Sequence, residues 1–101
     1  MSTELTGQQR RHLKGLAHHL SPVVQVGKGG VSTAVTDATD MALHTHELIK
    51  VRLPQVDKAE RRAMADALRD ATGAAEVWVV GRMLVLYREN PEEPKIRLPK
   101  K

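Results

Sequence analysis

Apolar and polar residues alternate along this chain with two different periods, and the changes of period mark the predicted elements. Between residues 6 and 20, a capping-box pattern, Thr6-x-x-Gln9, is followed by apolar residues at helical spacing. Pro22 ends this first helix. Residues 23–26 are a β-branched run that predicts a short buried strand.

The helical period returns after a glycine-rich loop and then changes to a period of two. Ser32 is the predicted N-cap of a second helix that runs to about His46. The residues predicted to face inward on this helix are Val31, Ala34, Val35, Ala38, Met41 and Ala42. Within residues 47–53 the period becomes two: Ile49, Val51 and Leu53 are predicted to face one way and Lys50 and Arg52 the other. Pro54 closes the predicted strand.

A third helix and a hairpin complete the pattern. The capping signature Asp57-x-x-Glu60 starts the helix, and Gly73 has the position of its C-cap. Its predicted inward residues are Ala63, Met64, Ala67, Leu68 and Ala71. Two β-rich runs, residues 75–80 and 83–88, are separated by Gly81-Arg82, which is a two-residue hairpin signal.

The order of elements is α-β-α-β-α-β-β, which predicts an α+β fold (an α/β sandwich) with a mixed four-stranded sheet packed by helices. Residues 1–90 are expected to form a single domain. Residues 91–101 contain prolines and mixed charge, and we expect an extended, mobile arm in which only Ile96 and Leu98 can dock.

Composition narrows the class of protein. A chain of 101 residues with 41% apolar residues can bury one core. It contains no cysteine, which excludes disulfides and thiolate metal sites. Neither a signal peptide nor an apolar run of spanning length is evident, so we expect a cytoplasmic protein with no membrane partner.

Charge favours a polyanionic partner. The net charge is +4, and residues 1–30 carry four bases against one acid. Aromatic residues are limited to Trp78 and Tyr87, too few for a surface that binds by stacking bases. Trp78 shares its predicted strand face with Glu76 and Val80, and packing is favoured over base stacking for it. Contacts to a nucleic-acid backbone should therefore dominate.

The candidate site is the loop Gly27-Lys28-Gly29-Gly30, between a strand and a helix N-terminus. Glycines admit close approach of another backbone, and a helix N-terminus offers unpaired N–H groups and partial positive charge. Lys28 adds a full charge, so the segment suits a phosphate. A tight turn without a ligand is the alternative interpretation. The spacing is not that of a nucleotide-binding P-loop.

Further bases could widen the site, although solvated charged faces are the ordinary alternative. The candidates are Arg10, Arg11 and Lys14 on the first helix, and Lys50 and Arg52 on the polar side of their strand, a side we expect to be open. Neither a metal-ligand pattern nor a nucleophile beside a base is evident. We therefore expect no metal, no cofactor, no small-molecule substrate and no enzymatic activity.

Four segments give the chain a family resemblance. They are Leu13-Lys14-Gly15-Leu16-Ala17-His18, Val26-Gly27-Lys28-Gly29-Gly30, His46-Glu47-Leu48-Ile49-Lys50-Val51 and Gly81-Arg82-Met83-Leu84-Val85-Leu86-Tyr87-Arg88. In this order and spacing the chain resembles the CRM domain (chloroplast RNA splicing and ribosome maturation) in its stand-alone bacterial, YhbY-like form. The resemblance covers about Leu5 to Arg88.

The resemblance implies a fold similar to the C-terminal domain of translation initiation factor 3 and RNA binding without catalysis. It also implies action in large ribosomal subunit assembly, on the ribosomal RNA of pre-50S particles. Its GxxG loop maps onto Gly27 to Gly30, by analogy with the loop of KH domains that clamps RNA backbone. The alternative function is that of an interaction adaptor whose basic face binds an acidic partner protein.

Overall fold

The computed structural model describes residues 5–99 and contains three helices and four strands in the predicted order. They are α1 (Gly7–Ala17), β1 (Pro22–Gln25), α2 (Thr33–His46), β2 (Leu48–Arg52), α3 (Lys58–Thr72), β3 (Ala75–Val80) and β4 (Met83–Tyr87). The predicted α+β class and the mixed four-stranded sheet are confirmed.

The strands lie in the order β1-β2-β4-β3. β1 runs parallel to β2, and β4 is antiparallel to both β2 and β3. This topology gathers three connections at one end of the sheet: residues 27–30, residues 53–57 and the turn Gly81-Arg82. We call it the loop end, and we call the opposite end, which holds Glu47, Arg88 and Asn90, the tail end.

Each face of the sheet has its own core. On one face α2 and α3 cover Ile49, Val51, Leu53, Leu84 and Leu86, all at most 1% exposed. On the other face the second core brings Leu13 and Ala17 of α1 against side chains of the sheet, which are Leu48, Val77, Val85 and Tyr87. The alternation predicted for residues 49–53 is therefore confirmed, because every second residue reaches the first core.

The predicted helix caps are confirmed. Thr6 and Gln9 form a complete capping box at α1. Ser32 accepts a hydrogen bond from Val35 N at 3.2 Å, and Asp57 accepts one from Glu60 N at 2.8 Å. Gly73 ends α3 in the left-handed conformation, which a residue without Cβ adopts freely.

The predicted inward faces of α2 and α3 are partly wrong. Met41 is 71% exposed, and five predicted inward alanines are exposed as well: Ala34, Ala38, Ala63, Ala67 and Ala71. Thr39 and Thr72 are buried in their place, and their hydroxyls donate to the carbonyls of Val35 and Leu68, each at 2.7 Å. A threonine satisfied in this way can occupy a core position that a count of apolar residues misses.

The segment after β4, residues 88–99, contains neither helix nor strand, but it is attached to the domain. We call it the tail segment. The Glu47 carboxylate accepts hydrogen bonds from the main-chain N–H groups of Asn90, Lys95 and Ile96, each at 2.7 Å. Ile96 and Leu98 pack against the second core. Ile96 and Leu98 are the two residues of this segment that the sequence predicts can dock, whereas the three hydrogen bonds to Glu47 were not predicted.

Candidate nucleic-acid interface

The glycine loop forms a tight turn between β1 and α2. Gly30 N donates to the Gly27 carbonyl at 2.9 Å, which places Lys28 and Gly29 at the exposed centre of the turn. Immediately before the turn, Val26 N donates to the Arg52 carbonyl at 2.8 Å. The turn is therefore anchored to β2 and projects from the loop end of the sheet.

The glycines of the turn differ in conformation. Gly30 has φ +90°, a value that residues with a side chain rarely adopt. Gly27 and Gly29 have no positive φ, and a Cβ added at either would meet no atom within 4 Å. Only Gly30 is thus required by the backbone, and the bare surface at positions 27 and 29 leaves room for a ligand.

Main-chain donors without a protein acceptor lie in the turn and at the start of α2. Ser32 satisfies Val35 N, but within residues 5–99 the N–H groups of Lys28, Gly29 and Ala34 have no protein acceptor. The positive end of the helix dipole of α2 lies here as well. Free N–H groups, a helix N-terminus and the exposed Lys28 together suit an anion such as a phosphate.

The predicted bases of α1 lie elsewhere. Arg10 Nη1 donates to the carbonyls of Glu76 and Val77 in β3, the second at 3.0 Å, and Lys14 Nζ is 4.8 Å from the centroid of the Trp78 ring. β3 and β1 are opposite edges of the sheet, about 14 Å apart at the usual strand spacing. The structure therefore does not bring Arg10 and Lys14 to the glycine turn, while Arg11 on the same helix is exposed.

Lys50 and Arg52 lie on the α1 side of β2, as their alternation predicts. The expectation that this side is open is only half correct, because the second core beneath α1 includes Leu48 of the same strand. Lys50 is half-buried and Arg52 is exposed. Arg52 pairs with Gln25 across β1 and β2, so it adjoins the glycine turn.

Three further bases at the loop end were absent from the predicted site: Lys58, Arg61 and Arg82. Met64 Cε lies 3.9 Å from the position that a Cβ on Gly30 would take, so α3 packs beside the turn. Arg61 is one helical turn before Met64 on the same face of α3. Arg82 is held at the hairpin turn, where its Nε donates to the Leu53 carbonyl at 3.0 Å.

Ion pairs engage the later bases of α3 and Arg88 at the tail end, but not the bases of the loop end. Arg62 pairs with Asp66 and Glu76, Arg69 with Asp66 and Asp70, and Arg88 with Asp40. The hydrogen bond that Arg62 donates to the Glu76 carboxylate is the main cause that raises the pKa of Arg62. In the part of the chain that the structure describes, no carboxylate pairs with Lys28, Arg52, Lys58, Arg61 or Arg82.

Two other features, a metal-binding cluster and a membrane-spanning helix, are absent between residues 5 and 99. No group of three or more histidine, aspartate or glutamate side chains there could hold a metal ion. None of the helices described is both long and apolar enough to cross a membrane.

Comparison with known proteins identifies the family. The sequence model of the CRS1/YhbY (CRM) domain family matches residues 5–88, which include the glycine turn and all seven helices and strands. The chain belongs to the CRM domain family. The resemblance carried by its four sequence segments is thereby confirmed.

Relatives of this CRM domain are described as RNA-binding proteins. An "RNA-binding protein" of Haemophilus influenzae is 44% identical over 99 residues, which cover 98% of this chain and 99% of the relative. The "Probable RNA-binding protein YqeI" of Bacillus subtilis is 41% identical over 95 residues, 94% of this chain and 99% of the relative.

The fold of the CRM domain has a close match among solved structures. A Staphylococcus aureus protein, described as a candidate RNA-binding protein, superposes on it with a TM-score of 0.83 at 41% sequence identity. The match covers 95% of this chain and 100% of that one.

Proposed function

We propose that this CRM domain binds RNA through the turn Gly27–Gly30 and acts on ribosomal RNA during assembly of the large ribosomal subunit. The observation that carries the proposal is the exposed turn with unpaired N–H groups at the N-terminus of α2. Relatives described as RNA-binding proteins support the RNA half of the proposal. The ribosomal half rests on the resemblance to stand-alone bacterial CRM proteins.

The binding mechanism follows from the geometry of the turn. Phosphate oxygens accept hydrogen bonds from the N–H groups of Lys28 and Gly29, and the Lys28 ammonium supplies charge. The absence of side chains at positions 27 and 29 lets the RNA backbone approach the main chain. Arg52 extends the contact along the end of β2. No chemical step is involved, and the site of action is the cytoplasm, where bacterial ribosomes are assembled.

The test is a titration of large-subunit ribosomal RNA with wild type and with Lys28→Asp/Gly29→Asp. Gly29 has no positive φ and open space around it, so the folded state tolerates both changes. We expect the variant to bind at least about tenfold more weakly, because two carboxylates replace a cation and a bare backbone where phosphates bind. Wild-type affinity should also fall steeply as salt rises.

A matched control separates the turn from overall charge. Pro94→Asp/Arg97→Asp changes the net charge by the same amount at exposed positions far from the turn. Circular dichroism checks that both variants fold. Equal binding by wild type and the turn variant would refute the role of the turn.

The ribosomal half has its own test. We expect the wild type, and not the turn variant, to sediment with large-subunit precursor particles in sucrose gradients of a cell extract. Sedimentation only with mature ribosomes, or with no ribosomal particle, would contradict a role in assembly.

A protein partner is the second candidate function. An apolar groove beside the edge strand β1, lined among others by Leu16, Leu20 and Val23, favours it. The three side chains are 39%, 37% and 53% exposed, which is high for residues of this kind. Nuclease distinguishes the two functions, because complexes held by RNA should dissociate on digestion and complexes held by protein contacts should persist.

A further inference from the structure

The surface between the start of α3 and the β3–β4 turn is concave and basic. Its lining consists of Lys58, Ala59, Arg61, Arg62, Val79 and Gly81. We call this surface the α3 groove. It continues the loop end beyond the residues assigned to RNA so far, because Met64 on the next turn of α3 lies beside Gly30.

The charges of the α3 groove are of two kinds. Arg62 is engaged by Asp66 and Glu76. Lys58 and Arg61 have no carboxylate partner within residues 5–99, and neither has Arg82 at the adjoining hairpin turn. Unpaired cations at a concave surface raise the local concentration of anions.

Two acidic residues at the same end reduce its positive charge. Asp57 caps α3, where its carboxylate accepts the Glu60 N–H. Glu60 is exposed, one turn before Met64. Against these two stand five bases, Lys28, Arg52, Lys58, Arg61 and Arg82, so the loop end keeps an excess of positive charge.

The chemistry of the ligand follows from what the surface lacks. Tyr87 is 1% exposed and Trp78 is half-buried beneath Lys14, so both aromatic rings of the chain are occupied by packing. Base stacking, which usually holds single strands, therefore has no platform here. A sugar-phosphate backbone is the ligand that unpaired bases and main-chain donors can bind.

We propose that the RNA backbone continues from the glycine turn into the α3 groove, where Arg61, Lys58 and Arg82 bind successive phosphates of a folded RNA. The route crosses the ends of β1, β2 and β4, a span of about 10 Å at the usual strand spacing. This inference rests on the proposed function and extends its footprint. Arg61 joins the two regions because it lines the α3 groove and is one helical turn before Met64, which lies beside Gly30.

The test compares two double variants that each remove two positive charges. Lys58→Gln/Arg61→Gln acts in the α3 groove and keeps most of the side-chain stems, while Lys95→Gln/Arg97→Gln acts on exposed side chains of the tail segment. The probe is in vitro transcribed large-subunit ribosomal RNA, titrated at several salt concentrations. Thermal unfolding confirms that both variants are folded.

We expect the α3 variant to bind about tenfold more weakly than wild type. The slope of log K against log salt should become shallower by about 1.4 to 1.8, because a protein that contacts two fewer phosphates releases fewer counterions when it binds. The tail variant should change both quantities much less. Glu60→Gln should strengthen binding, because it removes a negative charge beside the route. Poly(U), an unstructured polymer, should bind more weakly than the ribosomal RNA.

The outcomes separate this inference from the proposed function. If wild type binds and the turn variant does not, but the α3 variant behaves like the tail variant, the α3 groove is not part of the site and the proposed function stands. Equal losses in the α3 and tail variants would mean that only overall charge matters, which also overturns the inference. If wild type does not bind RNA, the proposed function itself fails.

Discussion

The two ends of the sheet use their polar groups in opposite ways. At the loop end, Lys28, Arg52 and Arg61 have no carboxylate partner among the described residues, and N–H groups of the glycine turn have no protein acceptor. At the tail end, Glu47 is fully buried and accepts three main-chain N–H groups. Arg88 there binds Asp40 and the Thr72 carbonyl, the latter at 2.8 Å.

This difference indicates that the groups that stabilise the domain are concentrated at the tail end, whereas the loop end, where we propose that RNA binds, keeps polar groups available to a ligand. Groups that are satisfied internally hold the chain together, and their loss is costly because buried partners are left unpaired. Groups left unsatisfied at the surface contribute little to folding and are available to a ligand. Substitutions at the tail end should therefore change the free energy of unfolding, and those at the loop end mainly the affinity for RNA.

The largest expected effect is that of Glu47→Ala. Three N–H groups lose their acceptor and the docking of Ile96 weakens, so we expect a loss of about 3 to 5 kcal/mol in the free energy of unfolding. Urea unfolding measures it, and Glu89→Ala, at an exposed position nearby, is the control. RNA affinity per folded molecule should not change. A loss of RNA affinity in the folded variant would break the separation of the two ends.

A smaller effect comes from Tyr87, which lies at the tail end. Burial, together with the charges of Glu47 and Glu89, raises its pKa to about 12 from an ordinary value of 10.0. Because the unfolded chain loses this proton first, the contribution of Tyr87 to stability is complete below pH 10 and is lost as pH rises through 12. The loss should reach roughly 2 kcal/mol at pH 12.

Comparison of Tyr87→Phe with wild type isolates that contribution from other groups that titrate in the same range. The difference in unfolding free energy between the two proteins should change between pH 10 and 12. Ultraviolet absorption of the phenolate gives the pKa directly, and a midpoint near 10 would contradict the assigned burial effect.

The smallest expected effects on stability are those of substitutions at two glycines of the turn. Gly30→Ala forces a side chain into φ +90° and should cost about 1 to 2 kcal/mol of stability. Gly27→Ala meets open space at an ordinary φ and should stay within about 0.5 kcal/mol. Both changes should weaken RNA binding, since both put a methyl group near the bound backbone. Thermal unfolding measures the expected difference in stability between the two variants, and RNA titration measures the loss of affinity expected in both.

Local signals in the sequence were sufficient for the order of the elements and for the caps of the helices. The predicted end of the first helix at Pro22 is wrong, because α1 ends at Ala17 and Pro22 is the first residue of β1. Thr6, Ser32 and Asp57 each cap a helix by accepting a hydrogen bond from the main chain three residues on, and Gly73 ends α3 through its own left-handed conformation. Neighbouring residues therefore determine these ends. The glycine turn was predictable for the same reason, because its shape depends on Gly30 and on the strand and helix around it.

Features that depend on contacts distant in sequence were not predictable from local patterns. A bulge in β3 between Glu76 and Trp78 puts Glu76 against Arg62 of α3 and Trp78 in the second core, although alternation predicted one face for both. Arg10 was assigned to RNA because no acid lies near it on α1, but its partners are carbonyls 66 and 67 residues away. Arg61 comes near the glycine turn only through the packing of α3, which puts Met64, one helical turn on, beside Gly30.

The attachment of the tail segment also sets an order for folding during synthesis. The core beneath α2 and α3 needs residues no later than Leu86, so it can form while the rest of the chain is still being made. The core beneath α1 includes Ile96 and Leu98, and the main chain near them is held by Glu47. α1 is synthesised well before Ile96 and Leu98, so its apolar face must wait for that later segment before it is fully covered.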